Sequence, residues 1–150
     1  MAPGHILVCL RSDAWSTERL QLNVAHEYSH GVRQSQKPQL TEFGFGEAVP
    51  YTVRDFLVFE GLAMILADTL YPAPISPEPV SLGDEQEWWT KIDLDACGFE
   101  AYARYFGVQA CEIGARIVRS YIRTHHRTVI AAHDATDHEL YWNSCYPYRK

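Results

Sequence analysis

His26-Glu-Tyr-Ser-His30 is the segment of this chain whose residue types and spacing could do chemistry. In a helix, residues four apart lie one turn above each other on the same face, so both imidazoles can reach one metal ion. Glu27 is turned by about 100° from His26 around the helix axis, which puts it beside such an ion without ligating it. From there it can take a proton from a water. A catalytic zinc site takes three protein ligands and keeps one position open, so a third donor must come from elsewhere. The pattern by itself is not specific, because a surface helix whose histidines and glutamate face water has the same sequence.

A second segment narrows the choice. The helical neighbours of Glu60 are Val53, Phe56 and Leu57 before it and Ala63, Met64 and Ala67 after it, all apolar. A carboxylate buried in such a stripe without a partner costs several kcal/mol, so something must neutralise it. A divalent metal held by the two histidines would do so, and so would an ion pair with Arg19, Arg33 or Arg54. Gly61, Ala63 and Ala67 are small enough to let this helix approach its neighbour closely, as a shared ion requires.

The elements that must position these groups follow from periodicity and caps. Residues 6–10 form a short apolar run that reads as a strand. Ser16 caps a first helix, on which Leu20, Val24, Tyr28 and Gly31 recur at helical spacing. Residues 34–50, with two prolines and two glycines, read as a long loop beside that helix. Thr52-Val-Arg-Asp55 reads as a capping box that opens a second helix running to about Leu70. Residues 72–79 hold four prolines and form an extended connector. Asp84-Glu-Gln-Glu87 then caps a third helix to roughly Asp95, with Trp88, Ile92 and Asp95 on one side. A short helix covers 100–106, and a fifth runs from about Gln109 to His125 with Ile113, Ile117 and Tyr121 buried. Thr136-Asp-His-Glu139 caps a last one.

Val24-Ala-His-Glu-Tyr-Ser-His-Gly-Val-Arg33 followed by Glu60-Gly-Leu-Ala63 resembles the predicted Zn-dependent proteases of the YjaZ type, a gluzincin-like group. The resemblance implies that His26, His30 and Glu60 hold one zinc ion per chain and that Glu27 is the general base and acid. It extends to Ile113-Gly-Ala-Arg-Ile-Val118 and Ser144-Cys-Tyr146. Three positions depart from the family pattern. Ser29 stands where a further histidine is common. Ala110-Cys-Glu-Ile-Gly-Ala115 replaces a run with two tyrosines. Met64 occupies the position where many gluzincins place a histidine-orienting Asp, so Asp68, Glu42 or a backbone carbonyl would have to orient the ligands. A longer region ahead of the strand, usual in the family, is expected to be missing.

Other residues have plainer readings. His125 and His126 complement the negative end of the fifth helix, while His133 and His138 flank a turn and an N-cap and are expected at the surface. Cys111 and Cys145 read as core thiols. The aromatic set Trp88, Trp89, Tyr102, Tyr105, Phe106 and Tyr121 reads as packing, with one tyrosine free to face the cleft.

At 150 residues, 47% of them hydrophobic, the chain fits one domain spanning 1–150. A net charge of -6 disfavours nucleic acid and anionic membrane as partners and favours a neutral or cationic substrate. Four cysteines without paired spacing, and no apolar stretch long enough for a bilayer, place the chain in the cytoplasm. The expected fold is α+β, mainly helical, zincin-like with a reduced sheet. Its open strand edge should pair with another segment, a second chain or an extended substrate. The function expected is hydrolysis of a peptide or protein substrate. The rivals are a zinc-binding relic that acts as a binding module and a helical module without metal.

Overall fold

Thr52 and Asp55 close the capping box that starts the central helix. The Thr52 amide donates to Asp55 Oδ2 at 3.0 Å and the Asp55 amide to Thr52 Oγ1 at 3.2 Å. The remaining free amides of this first turn meet backbone, because Val53 and Arg54 donate to the carbonyls of Ala96 and Leu94 at 2.9 and 3.2 Å. A single antiparallel bridge, Thr52 with Cys97, lies beside them.

The structure is a computed structural model that describes residues 16–36, 51–72 and 81–147. Seven helices follow in order among the described residues: α1 (Thr17–Gln36), α2 (Val53–Leu70), α3 (Leu82–Lys91), α4 (Gly98–Tyr105), α5 (Val108–Thr124), α6 (Val129–His133) and α7 (Asp137–Trp142). The fold is mainly helical. The expected strand at 6–10, Glu42 with most of its loop, and most of the proline-rich connector lie outside the described residues. No helix of the described residues is long and apolar enough to cross a membrane.

Helix α2 packs most extensively on α5 and α1 and also touches α4, α6 and α7. All six apolar neighbours of Glu60 turn inward, five of them buried and Met64 partly so. The close approach expected of Gly61 is real, but the partner is α5 and not α1. A Cβ added at Gly61 would fall 2.3 Å from the Gly114 carbonyl group, and one at Gly114 would fall 2.0 Å from the Leu57 carbonyl oxygen. Backbone therefore meets backbone at this crossing. Ala110, Ile113 and Ile117 of α5 are fully buried beside it.

The third helix starts earlier and ends sooner than its acidic run suggested. Ser81, and not Asp84, is the N-cap, accepting from the Asp84 amide at 3.1 Å, and α3 ends at Lys91. Asp95 lies beyond it, exposed, and pairs with Arg54 at 2.8 Å. Glu85 of α3 is fully buried and tied down by Arg116, Tyr146 and Trp89, whose indole nitrogen donates at 3.3 Å. This carboxylate is a structural cross-link between α3, α5 and the C-terminal segment.

The glycine crossing gives a stability prediction. Gly114→Ala or Gly61→Ala must push α2 and α5 apart, because the obstructing atoms are backbone, and should cost at least about 2 kcal/mol. Gly31→Ala, where an added Cβ meets nothing within 4 Å, should be neutral or stabilising. Thermal melts of the three variants check this contrast.

Candidate metal centre

Helix α1 begins where Ser16 accepts from the Arg19 amide at 3.2 Å, and it presents His26 and His30 on one face. Their ring nitrogens converge. His26 Nε2 and His30 Nε2 are 3.0 Å apart, and they lie 3.2 and 3.6 Å from Glu60 Oε2 and Oε1. Across the described residues, these three are the group of histidine, cysteine and acidic side chains whose donor atoms could share one metal ion, all within 4.8 Å of one another. Donors at about 2.0–2.1 Å from a tetrahedral zinc stand about 3.3 Å apart, so the three spacings suit that ion. The chemistry of the set agrees, since two unprotonated imidazole nitrogens facing each other beside a carboxylate repel unless a cation or a proton lies between them.

Two of the three arginine alternatives for Glu60 are engaged elsewhere. Arg54 pairs with Asp95, and Arg33 with Asp137. Burial alone would push the Glu60 carboxyl up, but the hydrogen bond from His26, the charges of both histidines and the Cys111 contact together hold it below its ordinary value. Burial lowers His30 to about 4, with Glu60 opposing the effect, so its ring is neutral at neutral pH as a metal ligand must be. The His30 ring stacks on Phe59 of α2, centroids 4.1 Å apart, which fixes its plane. Glu27 is half-buried beside the set; burial raises its carboxyl, the His26 charge opposes this, and Glu60 adds to it.

The face of α1 that packs inward differs from the expected one. Val24, Tyr28 and Gly31 are exposed, and the buried stripe is Ala25, Ser29 and Arg33. Its partners are polar. Ser29 lies 2.8 Å from His133 Nε2, and His133 Nδ1 lies 2.8 Å from the Val129 carbonyl. A nitrogen facing a carbonyl must carry the proton, so Nε2 accepts from the Ser29 hydroxyl. One turn on, Arg33 donates to the carbonyls of His133 and Ala135, both at 2.5 Å, and to Asp137. His133 is therefore buried, against the expectation of surface exposure, whereas His138 is exposed as expected. The sequence carries one local sign of this, Thr128, which caps the short helix α6 that bears His133 and accepts from the Ala131 amide at 3.1 Å.

Of the side chains expected to orient the histidines, Asp68 is turned elsewhere, and Glu42 lies outside the described residues. Asp68 is exposed and pairs with Arg119 at 3.2 Å. His125 caps α5 and reaches the Asn143 carbonyl at 2.9 Å, in keeping with its reading at the helix end. Cys145 is exposed, whereas Cys111 is partly buried with Sγ 3.9 Å from Glu60 Oε2. Burial first, then Glu60, pushes the Cys111 thiol up to about 12, so it stays protonated.

Residues 1–141 match the family described as "Predicted Zn-dependent protease (DUF2268)", and the chain belongs to that family. It is also 28% identical over 152 residues to the uncharacterized protein YjfC of Bacillus subtilis (strain 168), covering 87% of this chain and 48% of that protein. The chain thus spans about half the length of the curated relative it matches. No solved structure matches it.

The polar seam under α1 gives a pH prediction. Burial first, then the Arg33 charge, lowers His133, while its bond to Val129 and the Asp134 charge oppose the shift. The folded state therefore resists protonation that the unfolded chain accepts near pH 6.5, so this group's contribution is complete above that pH and is lost as pH falls below it. In metal-free protein, wild type should lose more stability between pH 7.5 and 5.5 than His133→Asn, read by denaturant midpoints. Ser29→Ala, which strands the buried His133 nitrogen, should cost about 1–3 kcal/mol at pH 7.5.

Proposed function

We propose that the chain is a zinc-dependent peptidase in which His26, His30 and Glu60 hold one zinc ion and Glu27 moves the protons. The observation that carries this reading is the meeting of two Nε2 atoms and a buried carboxylate at 3.0, 3.2 and 3.6 Å, with a second carboxylate next to them that ligates nothing. The family description names zinc dependence and proteolysis, and it supports the same reading. Bound zinc supplies a Lewis acid there, polarising a carbonyl oxygen and acidifying a water.

The chain's own residues do the rest. Glu27 accepts one proton from the attacking water as the water oxygen bonds to the peptide carbonyl carbon. When the carbon–nitrogen bond breaks, Glu27 delivers that proton to the leaving amine. Its raised carboxyl pKa, caused first by burial, moves it towards the range in which a group both takes and returns a proton. The partly buried His30 stacked on Phe59 and the Ser29 and Arg33 anchors keep the helix from rotating, so His26 and His30 stay aimed at Glu60.

Metal analysis and turnover test the proposal together. Purified protein should carry about one zinc per chain, and His26→Ala or His30→Ala should remove it. Glu60→Gln should weaken zinc binding. Glu27→Gln should keep the metal and the melting temperature while lowering hydrolysis of unstructured peptides by roughly 10²- to 10⁴-fold. Stoichiometric zinc in a His26→Ala, His30→Ala double variant would refute the site. Full zinc without turnover of any peptide would instead make the chain a zinc-binding relic.

A further inference from the structure

The peptidase reading gives a bound zinc a share in stabilising the negative charge that gathers on the carbonyl oxygen as water adds, but it names no protein group that donates to that oxygen. Fixed hydrogen-bond donors usually do this, and one such donor accounts for about 10²- to 10³-fold in rate. Cys111 and Ala115 stand in the run where the family favours two tyrosines, so the donor must be sought on another element.

Helix α4 provides it. Tyr102 is half-buried with its ring stacked on Phe106, centroids 4.9 Å apart and planes within 10°, and it meets Phe56 at 4.9 Å. Phe56 precedes Glu60 by one helical turn on α2, so the phenol is held next to the third donor's own face. The groups that act electrostatically on its phenol are Glu60 on α2, Cys111 on α5 and Glu27 on α1. The other tyrosines nearby aim elsewhere. Tyr28 is 56% exposed, Tyr51 packs on Phe59 from the side of Arg33 and Asp137, and Tyr105 lines a separate cavity with Trp88 and Lys91.

We infer that Tyr102 is a catalytic residue of this site, donating a hydrogen bond from its phenol to the carbonyl oxygen of the scissile peptide. The inference rests on the peptidase reading above. As the water oxygen bonds to the carbonyl carbon, the C=O π pair moves onto the oxygen and strengthens the bond from Tyr102, which keeps its proton throughout. The pair returns when the carbon–nitrogen bond breaks, with the proton for the amine coming from Glu27. Two features suit Tyr102 to the task. Its ring is clamped between two phenylalanines, so the donor is in place before reaction begins. Burial, and then the negative charge of Glu60, raises its pKa, so it remains a donor at neutral pH.

Tyr102→Phe keeps the clamped ring and removes only the donor, and the zinc-loaded full chain is the right material. The expected result is a fall in kcat of roughly 10²- to 10³-fold with KM changed only a few-fold, and with zinc content and melting temperature as in wild type. A phosphinic pseudopeptide, whose tetrahedral phosphinate replaces the scissile peptide, should lose affinity for Tyr102→Phe by at least about tenfold in titration calorimetry. That binding measurement does not depend on turnover. A variant that cleaves and binds the phosphinate as wild type does would overturn the role of Tyr102 and leave the peptidase reading standing. A rise in KM with kcat intact would overturn it too, making Tyr102 a contact for ground-state substrate. Wild-type chain with full zinc that neither cleaves peptides nor binds the phosphinate would overturn the peptidase reading, and this inference with it.

Discussion

A carboxylate at the centre of the most buried helix sets the terms for this molecule. Glu60 lies within α2 among residues that are almost all removed from water, and its charge can be kept there only if neighbouring elements answer it. The nearby arginines whose pairings are known serve other carboxylates: Arg54 that of Asp95, Arg33 that of Asp137 and Arg116 that of Glu85. What faces Glu60 is a pair of imidazoles on α1 and a thiol on α5. The two rings answer part of its charge, and a divalent cation held among the three side chains would answer more of it.

Glu60 points where it does because its neighbour in sequence cannot move. Gly61 and Gly114 bring the α2 and α5 backbones into direct contact, which fixes the rotation of α2 about its own axis. One residue further round the helix, the Glu60 side chain is then directed at α1. A wider crossing would carry the carboxylate away from the histidines, so two glycines that bring no reactive group of their own control the spacing of the donor set. Packed interiors transmit such constraints because they have little free volume to absorb a shift.

Helix α1 is held by a different kind of force. Its buried stripe of Ala25, Ser29 and Arg33 offers little apolar surface, and its anchors are hydrogen bonds and an ion pair to α6, α7 and the turn between them. Buried polar contacts of this kind add little net stability but tolerate few alternative arrangements. Apolar packing would let α1 slide or rotate at small cost. A guanidinium that must satisfy two carbonyls and a carboxylate does not. The price in desolvation is matched by a helix whose two histidines keep a single orientation.

The sequence by itself determined the local elements and the donor types. Caps at Ser16, Thr52 and Thr136, the spacing of Ile113 and Ile117, and the His26, Glu27, His30 and Glu60 set are all legible because each depends on residues within one or two helical turns. Where local rules competed, legibility failed, as in α3, whose acidic run concealed the true cap at Ser81. Only the tertiary structure decided which face of α1 is buried, that His133 belongs under it, that Gly61 meets α5, and that Tyr102 of α4 packs on Phe56 of α2. Hydrophobic periodicity marked Val24 and Tyr28 as inward because it assumes an apolar partner, and the partner here is a serine-histidine bond and a buried arginine. Ser29 and His133 are 104 residues apart, and Cys111 and Glu60 are 51 apart. No short-range pattern encodes a contact between single polar residues at such separations; the packing of α2 against its neighbours creates it.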